Sequence, residues 1–414
     1  MMSIRNTILS NLIFSDIKVI NYLNILIFFF PLSIITGPFL PDLILSTVAL
    51  IGLFLFLTKK INVSFYFEIK ILWIFYFIVL LSSLLSNNII YSLDYTLFYF
   101  RFIIFAHFFI YLVITYRHIL KLFLFGIIFA LFFINLSSFI EILIYFNQNE
   151  PLDGVRRLKL PFSDEEIVGS FLIRILPIYL FLSYFNQNLF NNKYYRYLNI
   201  LLFLSSLMMI FFSGERTALV LLILFFFIIS LILIRKNLKF FTFALFGFIF
   251  LSSILITFDT KISDRIMQDF NRNTSLDPSI NPYVNFSLVS IELFKDKPIL
   301  GQGPKMFRKL CNEKSFNEFL DNCNMHPHSI YAQLIGETGF LGFIIPFISF
   351  IYIVYRNLIN FFKNNFDILY TLATTGFILN FFPLIPAGNF FNNWINSLYY
   401  ISIISLIYYR VYIK

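Results

Sequence analysis

Charge is what this sequence has least of. Only 13% of its 414 residues are Asp, Glu, Lys or Arg. A soluble domain carries about a quarter, so a water-surrounded globule of this length is excluded. Histidine occurs four times and cysteine twice, which leaves a single possible intrachain cysteine pair. There is no G-x-x-x-x-G-K-[ST] and no G-x-G-x-x-G sequence, so nothing points to a nucleotide phosphate cradle. No repeat of fixed period is visible, and neither is an inverted repeat of the transporter kind. A cleavable signal peptide is not expected. The first apolar run, near residues 20–36, lacks a small-residue cleavage site and is followed at once by a second run.

Apolar residues are abundant instead: 59% of the chain is hydrophobic, with 60 Phe and 24 Tyr. A helix needs about 20 apolar residues to cross a bilayer. On that measure spans are expected near 20–37, 41–58, 69–86, 95–115, 120–146, 167–185, 198–212, 217–234, 238–257, 329–355, 366–386 and 391–409. The expected fold class is an all-α polytopic membrane protein of about twelve transmembrane helices with one long periplasmic segment. The domain organisation is membrane helices over 1–257, the periplasmic segment over 258–328, and membrane helices over 329–414.

The net charge of +9 would suggest nucleic acid in a soluble protein. Here most Lys and Arg fall in short loops between apolar runs, so no nucleic-acid partner is expected and the basic residues serve to orient the chain. Arg5 and Lys18, Lys59 and Lys60, Arg117 and Lys121, Lys193 and Arg196, Arg235 and Lys236, Arg356 and Lys363, and Arg410 and Lys414 all fall on one set of loops. The opposite loops near 37–41, 87–94 and 386–391 hold none. The first set is therefore expected in the cytoplasm, with both termini. Three polar segments then lie outside: 147–166, the Ser213–Arg216 corner, and 258–328.

Chemistry has few places to reside. Arg216 opens the eighth span, where unpaired helix N–H groups and a guanidinium fork together attract an anion. The alternative is a snorkelling arginine at the membrane edge. His328, with His326 two residues before it, stands at the entrance of the tenth span behind Pro327. Neutral imidazole is the natural proton acceptor near pH 7, though histidine at a membrane surface can be merely interfacial. Glu337 lies about 13 Å further along that helix, with Gln333 one turn above it. It is either catalytic, a structural ion pair, or a cap at a helix break near Gly339. Arg174, two turns inside the sixth span, needs a partner such as Glu337, Glu141 or a bound phosphate. The run Lys297–Arg308 places Gly301, Gly303 and Pro304 in a tight loop with Lys305 and Arg308 beside it. Such a loop either forms an anion nest or only turns the chain. Asp164, Glu165 and Glu166 read as a solvated cap on the following helix rather than metal ligands. Cys311 and Cys323 lie in the longest polar segment and are expected to pair if it is outside the cytoplasm. The alternative is two free thiols.

Two stretches resemble the superfamily of bacterial inner-membrane O-antigen ligases and O-antigen polymerases. Ser213–Gly214–Glu215–Arg216–Thr217–Ala218 is similar to its S-x-x-R-[TG]-A helix start. Pro298 to Gly303, then His328–Ser329–Ile330–Tyr331, then Glu337–Thr338–Gly339–Phe340–Leu341–Gly342 resemble its P-x-x-G-x-G, H-[NS]-x-Y and E-T-G-x-x-G motifs in order. Roughly residues 200–355 carry the likeness. The resemblance implies a GT-C-like, inverting glycosyltransferase at the periplasmic face that uses neither metal nor cofactor. The implied donor is a glycan on undecaprenyl pyrophosphate. The implied acceptor is lipid A–core or a second lipid-linked glycan, and membrane lipids surround the protein. Carried over by motif, Arg216 binds the pyrophosphate and His328 takes the acceptor proton. Arg174, Lys305, Arg308 and His326 are further candidates for contact with pyrophosphate or glycan. The family tends to place an arginine shortly before P-x-x-G-x-G. The window Ser279–Ser290 has none, which leaves Arg265, Arg272 or Arg308 for that contact. Ser329 stands where asparagine is usual.

A secondary transporter or lipid-glycan flippase is the rival from another class. It would place its charges near the bilayer midplane on discontinuous helices, whereas Arg216 and His328 fall at an edge.

Overall fold

A computed structural model describes residues 16–61, 63–147, 157–163, 165–186, 193–236, 275, 277–316, 323–363 and 367–413. Among these residues the regular structure is helical throughout and no strand occurs. The helices are α1 (Asp16–Ser33), α2 (Phe39–Leu57), α3 (Phe67–Leu84), α4 (Ile89–Thr96), α5 (Phe100–Thr115), α6 (Arg117–Asn147), α7 (Val168–Phe185), α8 (Lys193–Phe212), α9 (Arg216–Lys236), α10 (Pro282–Asp296), α11 (Phe307–Leu310), α12 (Ile330–Phe362), α13 (Ile368–Asn380) and α14 (Asn393–Tyr408).

Among the described residues eight stretches are long and apolar enough to cross a membrane, and the chain is a multi-pass helical membrane protein. The expected count of about twelve is met only in part among the described residues. The run near 238–257 lies outside them. The expected eleventh span narrows to the 13 residues of α13, because Pro383 and Pro386 cannot continue a helix. Of the segment expected at 258–328, the described part contributes α10 and α11. They share a small apolar core of Phe286, Val289, Leu293, Met306, Phe307, Leu310 and Cys311, separate from the main one.

Burial sorts the helices into an inner and an outer set. The α7 window is 78% buried, while those of α1, α2, α3, α8 and α12 are at most 39% buried and so face lipid. Large apolar side chains on their outer faces, such as Leu50, Phe77, Leu201 and Ile351, are exposed. Around α7 pack α6, α8, α9, α13 and α14, while α12 packs on α3, α10 and α13.

The loops gather at two ends. At one, Asp367 caps α13 through the Leu369 and Tyr370 N–H groups, and Arg410 pairs with Glu68. At the other, the Trp394 indole donates to Ile34 O at 2.6 Å, Lys297 donates to Asn87 at 2.6 Å, and Leu158 N donates to Ser213 O at 3.3 Å. The second end collects the polar corners that carry every candidate residue.

Candidate active site

The site is built on a broken helix. Inside α12, Gly339 adopts φ 63° and ψ −166°, a conformation open to glycine and strained for any other residue. The break frees carbonyls and N–H groups that a membrane interior cannot satisfy with water. The loop 298–303 satisfies them. Gln302 N and Gly303 N donate to Gly336 O and Glu337 O at 3.2 and 2.8 Å, while Phe340 N and Leu341 N donate to Pro298 O and Ile299 O at 2.9 and 3.2 Å. The Ser82 hydroxyl donates to Glu337 O as well, at 3.0 Å. Gly301 and Gly303 also have positive φ. A Cβ on Gly301 would strike the Glu337 and Gly339 backbone, and one on Gly339 the Ile299 and Gly301 backbone. The Pro298–Gly303 stretch and the Glu337–Gly342 stretch are thus two halves of one joint.

The joint holds the Glu337 carboxyl fully buried. Its Oε1 accepts from Phe307 N at 3.1 Å and its Oε2 from the Gln333 amide at 2.8 Å. Gln333 in turn accepts from Phe390 N at 2.8 Å. Glu337 therefore ties α12 to the start of α11, and Gln333 ties α12 to the loop before α14. Thr338 donates back to Leu334 O at 2.7 Å.

The histidines stand at the entrance of α12. Their rings lie 4.2 Å apart between centroids. His328 has φ 55°, an uncommon conformation for a residue with a side chain, and its carbonyl accepts from Ala387 N at 2.8 Å. Ser329, in the place where asparagine is usual, caps the helix by accepting from Ala332 N at 3.3 Å. His328 packs against Tyr283 and Phe286 of α10 at 5.8 and 5.9 Å between centroids. Its Nε2 lies 3.0 Å from the Asn324 amide nitrogen. Asn324 Oδ1 accepts from Met325 N at 2.6 Å, so the Asn324 NH₂ is the group aimed at the imidazole. It donates, which makes His328 Nε2 the acceptor nitrogen. Burial lowers the His328 pKa below the ordinary imidazole range. His326 is pushed down to about 4, by burial first and by the neighbouring His328, Arg308 and Lys305 charges. Both imidazoles are neutral at pH 7.

Two cations, Lys305 and Arg308, act on the pair, and Lys309 follows them on α11. Lys305, also at positive φ, has its ammonium 3.9 Å from the centroid of the Tyr95 ring, and Lys309 lies 3.7 Å from that of Tyr91. Arg308 donates to Met325 Sδ at 3.1 Å and reaches the Tyr91 hydroxyl. Lys305 is lowered to about 8 by burial and by Arg308, with Glu337 acting in the opposite direction. A disulfide between Cys311 and Cys323, with Cα atoms 5.7 Å apart, ties the end of α11 to the segment that carries both histidines.

A second corner forms where α7 meets α9. Gly169 lets α7 approach so closely that a Cβ there would strike Ser213. Glu215 turns inward, buried to 5% exposure, and caps α7 by accepting from Gly169 N at 2.6 Å and Ser170 N at 3.1 Å. Burial raises its carboxyl pKa, against the pull of those donors and of Arg174. Arg216 follows as the first residue of α9. Arg174 donates to Ser170 O at 3.0 Å and lies within electrostatic reach of Tyr399 and Glu215.

The predicted residues therefore fall into two groups. Lys305, Arg308, His326, His328 and Glu337 gather around the α12 entrance. Arg174 and Arg216 flank Glu215 at the α7–α9 corner. The partners considered for Arg174 are engaged elsewhere. Glu337 serves the joint, and Glu141 accepts from Lys159 N, Leu160 N and the Tyr145 hydroxyl. Arg101 pairs with Asp42 at 2.8 Å. Arg265, Arg272 and Asp164 lie outside the described residues. Tyr91, Tyr95, Asn324 and Tyr399 escaped sequence reasoning, because each is one of many like residues with no motif around it.

A broken helix, a neutral imidazole pair and the Lys305 and Arg308 cations thus meet at one end of the helical bundle. Residues 201–347 match the family model described as O-Antigen ligase. The match runs from within α8 to within α12, so it takes in Arg216, Lys305, Arg308, His326, His328 and Glu337 but not Arg174, and it supports the O-antigen ligase and polymerase superfamily. It indicates an enzyme of the glycosyltransferase type with lipid-linked glycan substrates. No curated protein matches the chain.

Proposed function

We propose that the chain is a periplasmic-face glycosyltransferase that moves a glycan from undecaprenyl pyrophosphate to an acceptor hydroxyl, on lipid A–core or on a second lipid-linked glycan, with inversion at the anomeric carbon. The observation that carries this reading is His328. Its Nε2 is an acceptor nitrogen, its pKa is lowered by burial, and it sits among cations inside the segment that matches the ligase family.

The chemistry follows from the layout. The acceptor oxygen attacks C1 of the donor sugar while the C1–O bond to pyrophosphate breaks. The acceptor hydroxyl displaces the Asn324 NH₂ from His328 Nε2, and that nitrogen takes the acceptor proton, a role that typically contributes 10²–10⁴-fold. In an inverting displacement the base and the leaving group stand on opposite faces of C1. Cations beside the histidines therefore serve the acceptor and glycan side, and Arg216 at the α7–α9 corner serves the leaving pyrophosphate. Lys305, Arg308 and His326 belong to the first group. Arg216, at a helix N-terminus, belongs to the second, where fixed positive groups stabilise the charge that develops on phosphate. Glu337, with both oxygens engaged, positions the loop that bears Lys305 and Arg308. The resemblance implies a reaction without metal, which leaves these groups to balance the charge.

The test is transfer by purified protein from an undecaprenyl-pyrophosphate glycan. His328→Ala and Arg216→Ala should each abolish product while inserting normally. Longer lipid-linked chains identify a polymerase, and sugar on lipid A–core identifies a ligase. Wild-type product levels in both variants would remove the reading.

A further inference from the structure

The α7–α9 corner contains one feature that the transfer scheme has not used. Arg174 is 7% exposed and Tyr399 is 1% exposed. The Arg174 Nε and the Tyr399 hydroxyl are both buried with no hydrogen-bond partner. The two side chains lie within electrostatic reach of each other. Among the described residues, Arg174 forms no ion pair within 4.0 Å; the carboxylate in reach, Glu215, spends its oxygens on the α7 backbone. A buried guanidinium edge and a buried hydroxyl left without partners are costly, and a folded chain normally pairs such groups.

Their placement is matched. Arg174 is six residues past the start of α7, and Tyr399 is six past the start of α14. Each Cα is about 9 Å below its helix entrance. The Arg174 side chain runs back toward its own N-terminus, as helical side chains do, and its Nη1 meets Ser170 O one turn nearer the edge. Its guanidinium thus lies within electrostatic reach of Glu215, the residue before Arg216. The Tyr399 ring is fixed against Phe381 and Phe390, with centroids 4.8 and 5.7 Å away. The hydroxyl direction is therefore set by packing. Both free groups can donate, and two preset donors below a helix N-terminus call for an oxyanion with oxygens to spare.

We infer that Arg174 and Tyr399 form an inner phosphate subsite, below the outer contact at Arg216, that takes the second phosphate of a lipid-linked pyrophosphate. This rests on the proposed transfer reading and supplies the contact for which the stretch before Pro298 offers no arginine. Arg308 is less suited, since it stands beside the histidines on the acceptor side. The subsite predicts that the protein distinguishes a polyprenyl pyrophosphate from a polyprenyl monophosphate by reading the extra phosphate.

The experiment uses the full chain in lipid nanodiscs and measures binding of undecaprenyl pyrophosphate and undecaprenyl monophosphate without any acceptor. Wild type should prefer the pyrophosphate by about tenfold or more, the scale of one charge-assisted hydrogen bond. Arg174→Gln should bring the two affinities together while leaving monophosphate binding unchanged. Tyr399→Phe removes only an unpaired hydroxyl, so it should keep the wild-type melting temperature and still reduce the preference severalfold. Arg174→Lys, which keeps charge but loses the planar fork, should fall between. If Arg174→Gln fails to insert, the other two variants decide. A wild-type preference in both Tyr399→Phe and Arg174→Lys overturns the subsite. Arg174-dependent discrimination in a protein that transfers no sugar would leave the subsite standing and remove the transferase reading instead.

Discussion

At the scale of the residue, the decisive fact is an environment rather than an identity. His328 is one histidine among four, yet α10 aromatics, the Asn324 amide and a left-handed backbone fix its ring. Burial lowers its pKa. For a base that acts neutral, the free enzyme loses activity as pH falls through that lowered value. The acid limb of kcat/KM should therefore lie below the ordinary imidazole value of about 6.5, and a limb centred at or above 6.5 would contradict the environment described. His326, at about 4, stays neutral over the same range. The stability consequence has the matching sign. Below about 6.5 the unfolded chain takes up protons on both imidazoles that the folded chain does not. Their contribution is thus present above that pH and is lost as pH falls toward 4, which thermal unfolding across a pH series measures.

At the scale of the element, the broken helix matters most. A continuous α12 would carry His328 and Glu337 but could not join the 298–303 loop, whose N–H and C=O groups replace those that the break leaves open. Gly339→Ala forces a side chain into the backbone of Ile299 and Gly301 and into a positive φ. It should cost more than about 2 kcal/mol, seen as a lowered melting temperature in detergent together with loss of transfer. The disulfide acts at the same scale. It tethers the histidine segment to α11, which carries Arg308, while α12 stays anchored by its own helix contacts. Cys311→Ser with Cys323→Ser should therefore leave the membrane bundle intact and reduce transfer, read as normal expression and insertion beside lowered product. Full activity in the double variant would show that the tether does not order the site.

At the scale of the whole molecule, the two ends of the bundle divide the labour. One holds Asp367, Glu68 and Arg410 in structural pairs. The other holds both site corners. The distribution of Lys and Arg predicts that the site end faces away from the cytoplasm. A membrane-impermeant thiol reagent applied to intact spheroplasts of a Cys311→Ser, Cys323→Ser background should label Asn87→Cys and leave Lys363→Cys unlabelled until the membrane is opened. The reverse pattern would invert the topology and with it the periplasmic assignment.

Much of this was legible in the chain itself. Sparse charge and long apolar runs oblige a membrane bundle, because buried backbone in lipid has to satisfy itself within helices. The spaced glycines, the histidine pair and the Ser213–Arg216 corner marked where polar chemistry collects. A helix break near Gly339 was readable, since glycine is the residue that tolerates such a break. Other features needed three dimensions. Nothing local pairs Gly301 with Gly339, seats Lys305 on Tyr95, or brings Tyr399 to Arg174, 225 residues earlier in the sequence. These contacts join segments far apart along the chain, and their energies depend on burial and direction. Sequence therefore set which groups were costly to bury, and packing alone decided which of them found a partner.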